Sequence, residues 1–140
     1  MNNYKKIIPI PQGESEFYWN KTSQEQLWLR KCNRCSEAYF YPRDISPCCF
    51  SRDTEWTQSS GRGRLYAFSI IYRSPNQGFQ EEAPFIVAII ELEEGPRMTS
   101  NIVGVDTPSP DKLRIGMPVT VVFDKITDEL SLPKFILAKS

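Results

Sequence analysis

The four cysteines of this chain are its clearest chemical feature, because all of them lie between positions 32 and 49. Cys32 and Cys35 are separated by two residues, a spacing at which one tight turn directs two thiolates at a single tetrahedral ion. Two further cysteines follow after a short interval. Paired thiolates of this kind are typical of a zinc ribbon, and the candidate ligands are Cys32, Cys35, Cys48 and Cys49.

The second half of this predicted site is irregular. A regular ribbon would end in another C-x2-C pair, but Cys48 and Cys49 are adjacent, and Ser46 occupies the place of the expected third thiolate. Neighbouring side chains in an extended or turn segment point apart, so both cysteines would not fall naturally on one ion. Three arrangements stay open: zinc on all four cysteines with Cys48 distorted, zinc on three cysteines with Ser46 or water as the fourth donor, or a metal-free site that survives as packing. The sequence predicts structural zinc and leaves the fourth ligand undecided.

Two simpler interpretations of the cluster are unrelated buried thiols and a disulfide. Thiols with no common role would not be confined to one short stretch, so we set the first aside. The opening segment MNNYKKIIPIPQ has neither the long apolar stretch nor the cleavage site of a signal peptide. We therefore expect a reducing, cytoplasmic compartment, which disfavours a disulfide. A redox or metal-transfer role for the adjacent pair Cys48 and Cys49 is a weaker hypothesis.

Composition narrows the function classes. A chain of 140 residues with 40% apolar content can hold one ordinary domain and a small appendage. Seventeen basic and seventeen acidic residues cancel, which removes a general attraction to nucleic-acid phosphates. No apolar run approaches the ~18 residues of a membrane span. The sequence contains no histidine, so Ser-His and Cys-His nucleophile pairs are excluded. We predict a binding or assembly protein and not an enzyme.

The elements around the cysteines are predicted from periodicity. Residues 1–13 contain prolines and a glycine, and should form an extended arm that is ordered only where it docks. Residues 14–26 have a helical pattern with Ser15 as N-cap and aromatic side chains that either staple the helix to the core or anchor a partner. The alternation at 27–31 and the return at 38–41 predict a hairpin with the metal at its tip.

The second half of the chain has the pattern of a β-barrel. Strands are predicted near 64–73, 84–92, 98–105, 119–123 and 134–138, with Leu65 and Ala67 on one face of the first strand and Tyr66 and Phe68 on the other. Five strands with glycine kinks and a long connection after the third predict a closed Greek-key barrel, the OB-fold. An SH3-like barrel is the alternative.

The predicted fold class is mainly β, with a short N-terminal helix, a zinc-ribbon hairpin and a five-stranded OB-fold barrel. The corresponding division of the chain is an arm and helix at 1–28, a rubredoxin-like ribbon at 29–55 and the OB-fold domain at 56–140.

A set of short motifs in a fixed order carries a family resemblance. The motifs are Phe17 and Trp19 in the helix, the first cysteine pair, Phe40-Tyr41-Pro42-Arg43, the second cysteine pair, Ser60-Gly61-Arg62-Gly63, Pro84, and Ile115-Gly116-Met117-Pro118-Val119. Over about residues 14 to 138 the chain resembles proteins with an N-terminal rubredoxin-like zinc ribbon and a C-terminal acyl-CoA-associated OB-fold domain. It departs from that pattern at Ser46, which stands at the family's third cysteine position.

The resemblance implies a function. Members of that family are commonly non-catalytic partners of thiolase-type enzymes. This chain would then be an accessory subunit that binds a thiolase-like enzyme and helps form an acyl-CoA site. Arg62 and Arg64, beside two glycines that let a ligand approach the backbone, are the candidate ligand-binding residues for a pyrophosphate or 3′-phosphate; a solvated strand end is the simpler interpretation of both.

The alternative function is a single-stranded nucleic-acid-binding OB-fold protein with a zinc ribbon. Bases would stack on Tyr66, Phe68 and Tyr72, as they do on the aromatic side chains of other OB-folds. The zero net charge argues against this function. Whether the chain also self-associates is left open by the sequence.

Overall fold

The computed structural model describes residues 4–138. None of its helices is long and apolar enough to cross a membrane. The helices are α1 (Glu16–Ser23) and α2 (Gln77–Gln80), and single 3-10 turns lie at Gly13–Ser15 and Pro110–Lys112. The strands are β1 (Trp28–Cys32), β2 (Ala38–Tyr39), β3 (Thr54–Gln58), β4 (Arg62–Ile71), β5 (Phe85–Leu92), β6 (Arg97–Ile102), β7 (Pro118–Lys125) and β8 (Ser131–Leu137).

The first three strands form a small antiparallel sheet that carries the cysteines. Strand β1 lies in the middle, with β2 on one side and β3 on the other. The β1–β2 pair is the predicted hairpin. Strand β3 adds a third member, and it spans the predicted division between residues 55 and 56. The division into three regions therefore stays a prediction.

The remaining five strands close into a barrel in the order β4-β5-β6-β8-β7. Its pairs are antiparallel except for β6 and β8, which meet in parallel at Ile102 and Phe135. The barrel closes where the start of β4 pairs with the start of β7, from Arg62 opposite Thr120 to Arg64 opposite Pro118. This arrangement confirms the predicted fold class, a mainly β chain with a five-stranded OB-fold barrel, over its SH3-like alternative.

A bulge in β4 corrects the predicted strand faces. Leu65 pairs with Ile90 and Ala67 pairs with Ile89, so the register shifts between them at Tyr66. A bulge inserts one extra residue, and the inward-facing positions change parity beyond it. Leu65 is fully buried, and Phe68 also packs against the core. The prediction that these two side chains lie on opposite faces was therefore wrong.

Helix α1 joins the small sheet to the barrel. Tyr18 and Trp19 are buried in one core cluster that also contains residues of β1 and of the barrel, as expected for aromatic side chains that staple the helix to the core. Ser15 is the N-cap residue of α1 as predicted, but its hydroxyl donates to the carbonyl of Gln12 at 2.9 Å and makes no capping hydrogen bond to the helix. Thr22, at the last turn of α1, is fully buried against β8 and accepts a hydrogen bond from the backbone N–H of Ser131 at 3.1 Å.

The N-terminal arm docks on α2 and the loop around it. Lys5 forms an ion pair with Glu81, and Lys6 forms one with Glu82. A Cβ added to Gly78 would lie 2.9 Å from the carbonyl oxygen of Lys5, so the close approach of the arm requires glycine there. The arm predicted at 1–13 is thus docked at Lys5 and Lys6, and its first three residues lie outside the described part of the chain.

Candidate functional site

The first cysteine pair lies in the turn between β1 and β2. Strand β1 ends at Cys32, and the turn closes where the N–H of Ser36 donates to the carbonyl of Cys32 at 2.8 Å. The N–H of Cys35 then points at the Cys32 sulfur at 3.4 Å. This geometry places both sulfurs on the same side of the turn, as the C-x2-C spacing predicts.

The second pair lies in a tight loop between β2 and β3. The N–H of Phe50 donates to the carbonyl of Ser46 at 2.9 Å, and Phe50 adopts a left-handed conformation with φ 59°. This turn brings Cys48 and Cys49 back toward β1. The four cysteine sulfurs lie within 4.8 Å of one another, so the expectation that adjacent cysteines would point apart was wrong.

A disulfide is present within the cluster. The sulfurs of Cys35 and Cys48 are bonded at 2.06 Å, while Cys32 and Cys49 are free thiols. The disulfide that the sequence disfavoured is therefore part of this structure. Cys35 and Cys48 can serve as metal ligands only after reduction, because the thiolate is the form that binds metal.

The donor set fits zinc. A tetrahedral ion with Zn–S bonds of ~2.3 Å separates its ligand sulfurs by about 3.8 Å. The Cys32 and Cys49 sulfurs lie 3.6 Å apart, close to that separation. Four thiolates complete a tetrahedral site without a carboxylate or imidazole. The cluster could thus hold a metal ion, and the role of each cysteine as a ligand stays a prediction.

Ser46 shapes the interior of the cluster. Its side chain is fully buried, and its hydroxyl oxygen lies 3.0 Å from the Cys48 sulfur. A hydrogen bond with the Ser46 hydroxyl lowers the pKa of Cys32 to about 7, and the N–H of Cys35 adds to this effect while burial opposes it. The sequence drew attention to Ser46 as a missing cysteine and as a possible fourth donor to the metal. Its contacts with sulfur required the folded loop.

The two candidate arginines lie at the place where the barrel closes. Arg62 and Arg64 alternate along β4 and line one pocket of about 470 Å³ with residues of β5 and β7. Arg62 donates from Nε and Nη2 to the two carboxylate oxygens of Glu93 at 2.9 and 3.2 Å. This contact raises the pKa of Arg62 and lowers the pKa of Glu93. The sequence missed Glu93, which lies 31 positions away.

Arg64 differs from Arg62 because its side chain makes no hydrogen bond or ion pair with the residues described, 4–138. Its side chain is exposed in the same pocket. The structure therefore brings the two arginines together and leaves only the Arg64 guanidinium uncommitted. Their role in ligand binding stays a prediction.

The aromatic side chains required for base stacking are only partly accessible. Phe68 packs against the barrel core, and the guanidinium of Arg97 covers the ring of Tyr66 at 3.8 Å from its centre. Tyr72 is 60% exposed, but a single ring does not provide a surface on which successive bases could stack. The nucleic-acid alternative thus finds little support in this geometry.

Comparison with known families and proteins gives consistent matches. The family described as "ChsH2, C-terminal OB-fold domain" matches residues 56–124. The chain is 42% identical over 100 residues to the DUF35 domain-containing scaffold protein of Methanothermobacter thermautotrophicus, a match that covers 71% of this chain and 72% of that protein. It is 32% identical over 133 residues to a probable enoyl-CoA hydratase alpha subunit of Thermomonospora curvata, covering 94% of this chain and 40% of that protein. The chain thus spans less than half the length of the hydratase subunit.

A solved structure matches nearly the whole chain. The matching chain comes from the structure titled "Ltp2-ChsH2(DUF35) aldolase", with 31% sequence identity and a TM-score of 0.79. The match covers 94% of this chain and 100% of that chain. The similarity includes the small sheet, the helix and the barrel together.

Proposed function

Because the chain belongs to the family of DUF35 domain-containing proteins, we propose that it is a non-catalytic accessory subunit that binds a thiolase-like enzyme. The match over the full length of a chain whose structure title names Ltp2 beside ChsH2 is the observation that carries the proposal. The word scaffold in the names of the archaeal relatives supports the same role. The thiolase-like nature of the partner is what the family resemblance implies.

A non-catalytic role agrees with the side chains available. The chain has no histidine that could act as a general base. The thiol with a lowered pKa, Cys32, is fully buried and cannot meet a substrate. The activities in the names of the hydratase relatives belong to longer proteins, of which this chain matches 40% or less. The reactive groups would therefore come from the partner.

The tip of the ribbon offers a contact surface for that partner. Phe50 is 80% exposed beside the cysteine cluster, and Ile45 in the same loop is 38% exposed. Large apolar side chains held at a rigid tip are suited to act as anchors in a partner's pocket. We assign Phe50 as the central contact on this surface.

The finer proposal concerns acyl-CoA. The pocket of about 470 Å³ lies within the size range of small-molecule sites, and Gly63 lines it between the two arginines. Arg62 is neutralised by Glu93, so Arg64 is the cation that would meet a phosphate of the ligand. On this proposal the barrel contributes one wall of a site that the partner completes.

Co-purification tests the accessory role. The tagged chain, expressed at its native level, should retain a thiolase-like subunit in a fixed ratio, identified by mass spectrometry. Phe50→Ser should lose that subunit, while Tyr72→Ser, which removes another exposed aromatic ring, should retain it. Purification without any such subunit, or equal retention by both variants, would contradict the proposal or the assigned contact respectively.

Ligand titration of the assembled complex tests the acyl-CoA site. Arg64→Ala should weaken acyl-CoA binding by roughly 10- to 150-fold, the range expected for a charge-assisted hydrogen bond of about 1.5–3 kcal/mol. Arg62→Ala should have a smaller effect because its partner is Glu93. Lys125→Ala, at an exposed lysine outside the pocket, is the control. Unchanged affinity in Arg64→Ala would remove this residue from the site.

A further inference from the structure

The side chain of Ser46 is held in place by its own backbone. The N–H of Ser46 donates to the carbonyl of Ser51 at 2.9 Å, and its carbonyl accepts from the N–H of Phe50 at 2.9 Å. Ser46 has no solvent exposure. The loop thus directs a buried hydroxyl into a cluster of sulfur atoms, with little freedom to turn away.

The hydrogen-bonding capacity of this hydroxyl determines its role. A serine hydroxyl has one hydrogen to donate and two lone pairs to accept. Its oxygen accepts from the N–H of Cys48 at 3.2 Å and lies 3.0 Å from the Cys48 sulfur. A thiolate can only accept, so in a reduced cluster the hydroxyl hydrogen points at sulfur.

We propose that Ser46 is a positioning residue of the metal centre, which donates its hydrogen bond to the ligand sulfur of Cys48 and does not bind the metal. Once the Cys35–Cys48 disulfide is reduced, the four cysteine sulfurs, which lie within 4.8 Å of one another, supply a complete tetrahedral set. A neutral hydroxyl competes poorly with thiolates for a soft coordination site. The coordination of the metal is then complete despite the irregular spacing of the second cysteine pair, and Ser46 is not needed as a donor.

This hydrogen bond stabilises the negative charge on the thiolate ligands. Four thiolates around a divalent ion carry a net charge of about −2, and most of it lies on sulfur. Hydrogen bonds from the Ser46 hydroxyl and from the N–H of Cys35, 3.4 Å from the Cys32 sulfur, stabilise that charge in a buried position. Residues that hydrogen-bond to metal ligands in this way typically contribute roughly 10- to 100-fold to metal affinity.

Metal competition on the reduced chain tests the proposal. Ser46→Ala should still bind one Co²⁺ with the absorption spectrum of a four-thiolate site, but with an affinity roughly 10- to 100-fold weaker than the unmodified chain. Ser46→Thr keeps the hydroxyl and should recover affinity. Ser51→Ala, which removes a hydroxyl from the same loop that bonds to Asp53 and not to sulfur, should bind as tightly as the unmodified chain.

A second measurement keeps the test independent of whether these variants fold. X-ray absorption of the zinc-loaded unmodified chain should show four sulfur neighbours at ~2.3 Å and no oxygen neighbour at ~2.0 Å. Three sulfurs and one oxygen would make Ser46 or water a ligand and overturn the proposal. Equal affinity in Ser46→Ala, or failure of the reduced unmodified chain to bind Co²⁺ or Zn²⁺, would also overturn it.

Discussion

Substitution of Thr22 by valine tests how the helix is held to the barrel. The Thr22 hydroxyl donates to the carbonyl of Trp19 at 2.6 Å and accepts from the N–H of Ser131, the first residue of β8, at 3.1 Å. Both Thr22 and Ser131 are buried. Valine has nearly the same shape as threonine, so Thr22→Val removes these hydrogen bonds and leaves the packing largely intact.

The expected loss of stability arises because the backbone N–H of Ser131 is left without a hydrogen-bond acceptor. The N–H of Ser131 stays buried after the substitution and loses its acceptor, which destabilises the fold by about 1–3 kcal/mol. The bond to Trp19 adds little, because a local bond from a threonine hydroxyl to a carbonyl of its own helix does not stabilise the helix. For a chain of this size, the loss corresponds to a melting temperature lower by roughly 3–10 °C.

Urea unfolding, followed by tryptophan fluorescence, measures this effect. Ser23→Ala is the matched control, because the Ser23 hydroxyl makes the same type of bond to Asn20 at 2.6 Å but is exposed and does not reach the barrel. The control should change the free energy of unfolding by no more than about 0.5 kcal/mol. If Thr22→Val is as stable as the control, the hydroxyl bridge to Ser131 does not hold the helix to the barrel.

Three further predictions concern the Arg62–Glu93 ion pair, catalytic turnover and nucleic-acid binding. Arg62 stabilises the ionised form of Glu93 and so lowers its pKa; the ion pair is therefore present above the ordinary carboxyl pKa and is lost as the pH falls through the lowered value. Arg62→Ala should raise the pH midpoint at which Glu93 titrates, measured by carboxyl NMR. An unchanged midpoint would mean that the pair does not form in solution. The purified chain should not turn over acyl-CoA substrates; turnover that one substitution within the chain abolishes would make it an enzyme. Single-stranded DNA or RNA should bind no more tightly than about 10⁻⁴ to 10⁻⁶ M at physiological salt; a tighter titration with a steep salt dependence would favour the nucleic-acid function.

The exposed tip and the buried Ser46 have separate roles in these proposals. Phe50 is assigned to partner contact, whereas Ser46 acts on the Cys48 sulfur from inside the same loop. A variant that loses metal and a variant that loses the partner can therefore be distinguished.

The sequence alone determined the features that depend on neighbouring residues. The spacing of Cys32 and Cys35 predicted the first turn of the cluster, and the alternation of apolar residues predicted the strands of the barrel. Both signals are local, because the period of a strand and the reach of a tight turn extend over a few residues. The fold class could be derived for the same reason.

Only the tertiary structure decided which side chains meet across the chain. Glu93 reaches Arg62 over 31 positions, and the Ser131 N–H reaches Thr22 over 109. The bulge at Tyr66 reversed the faces of β4, since one extra residue shifts the parity of a strand without leaving a mark in its composition. The convergence of Cys48 and Cys49 on Cys32 similarly required the folded loop, because the direction of a side chain depends on backbone angles that the residue types do not specify.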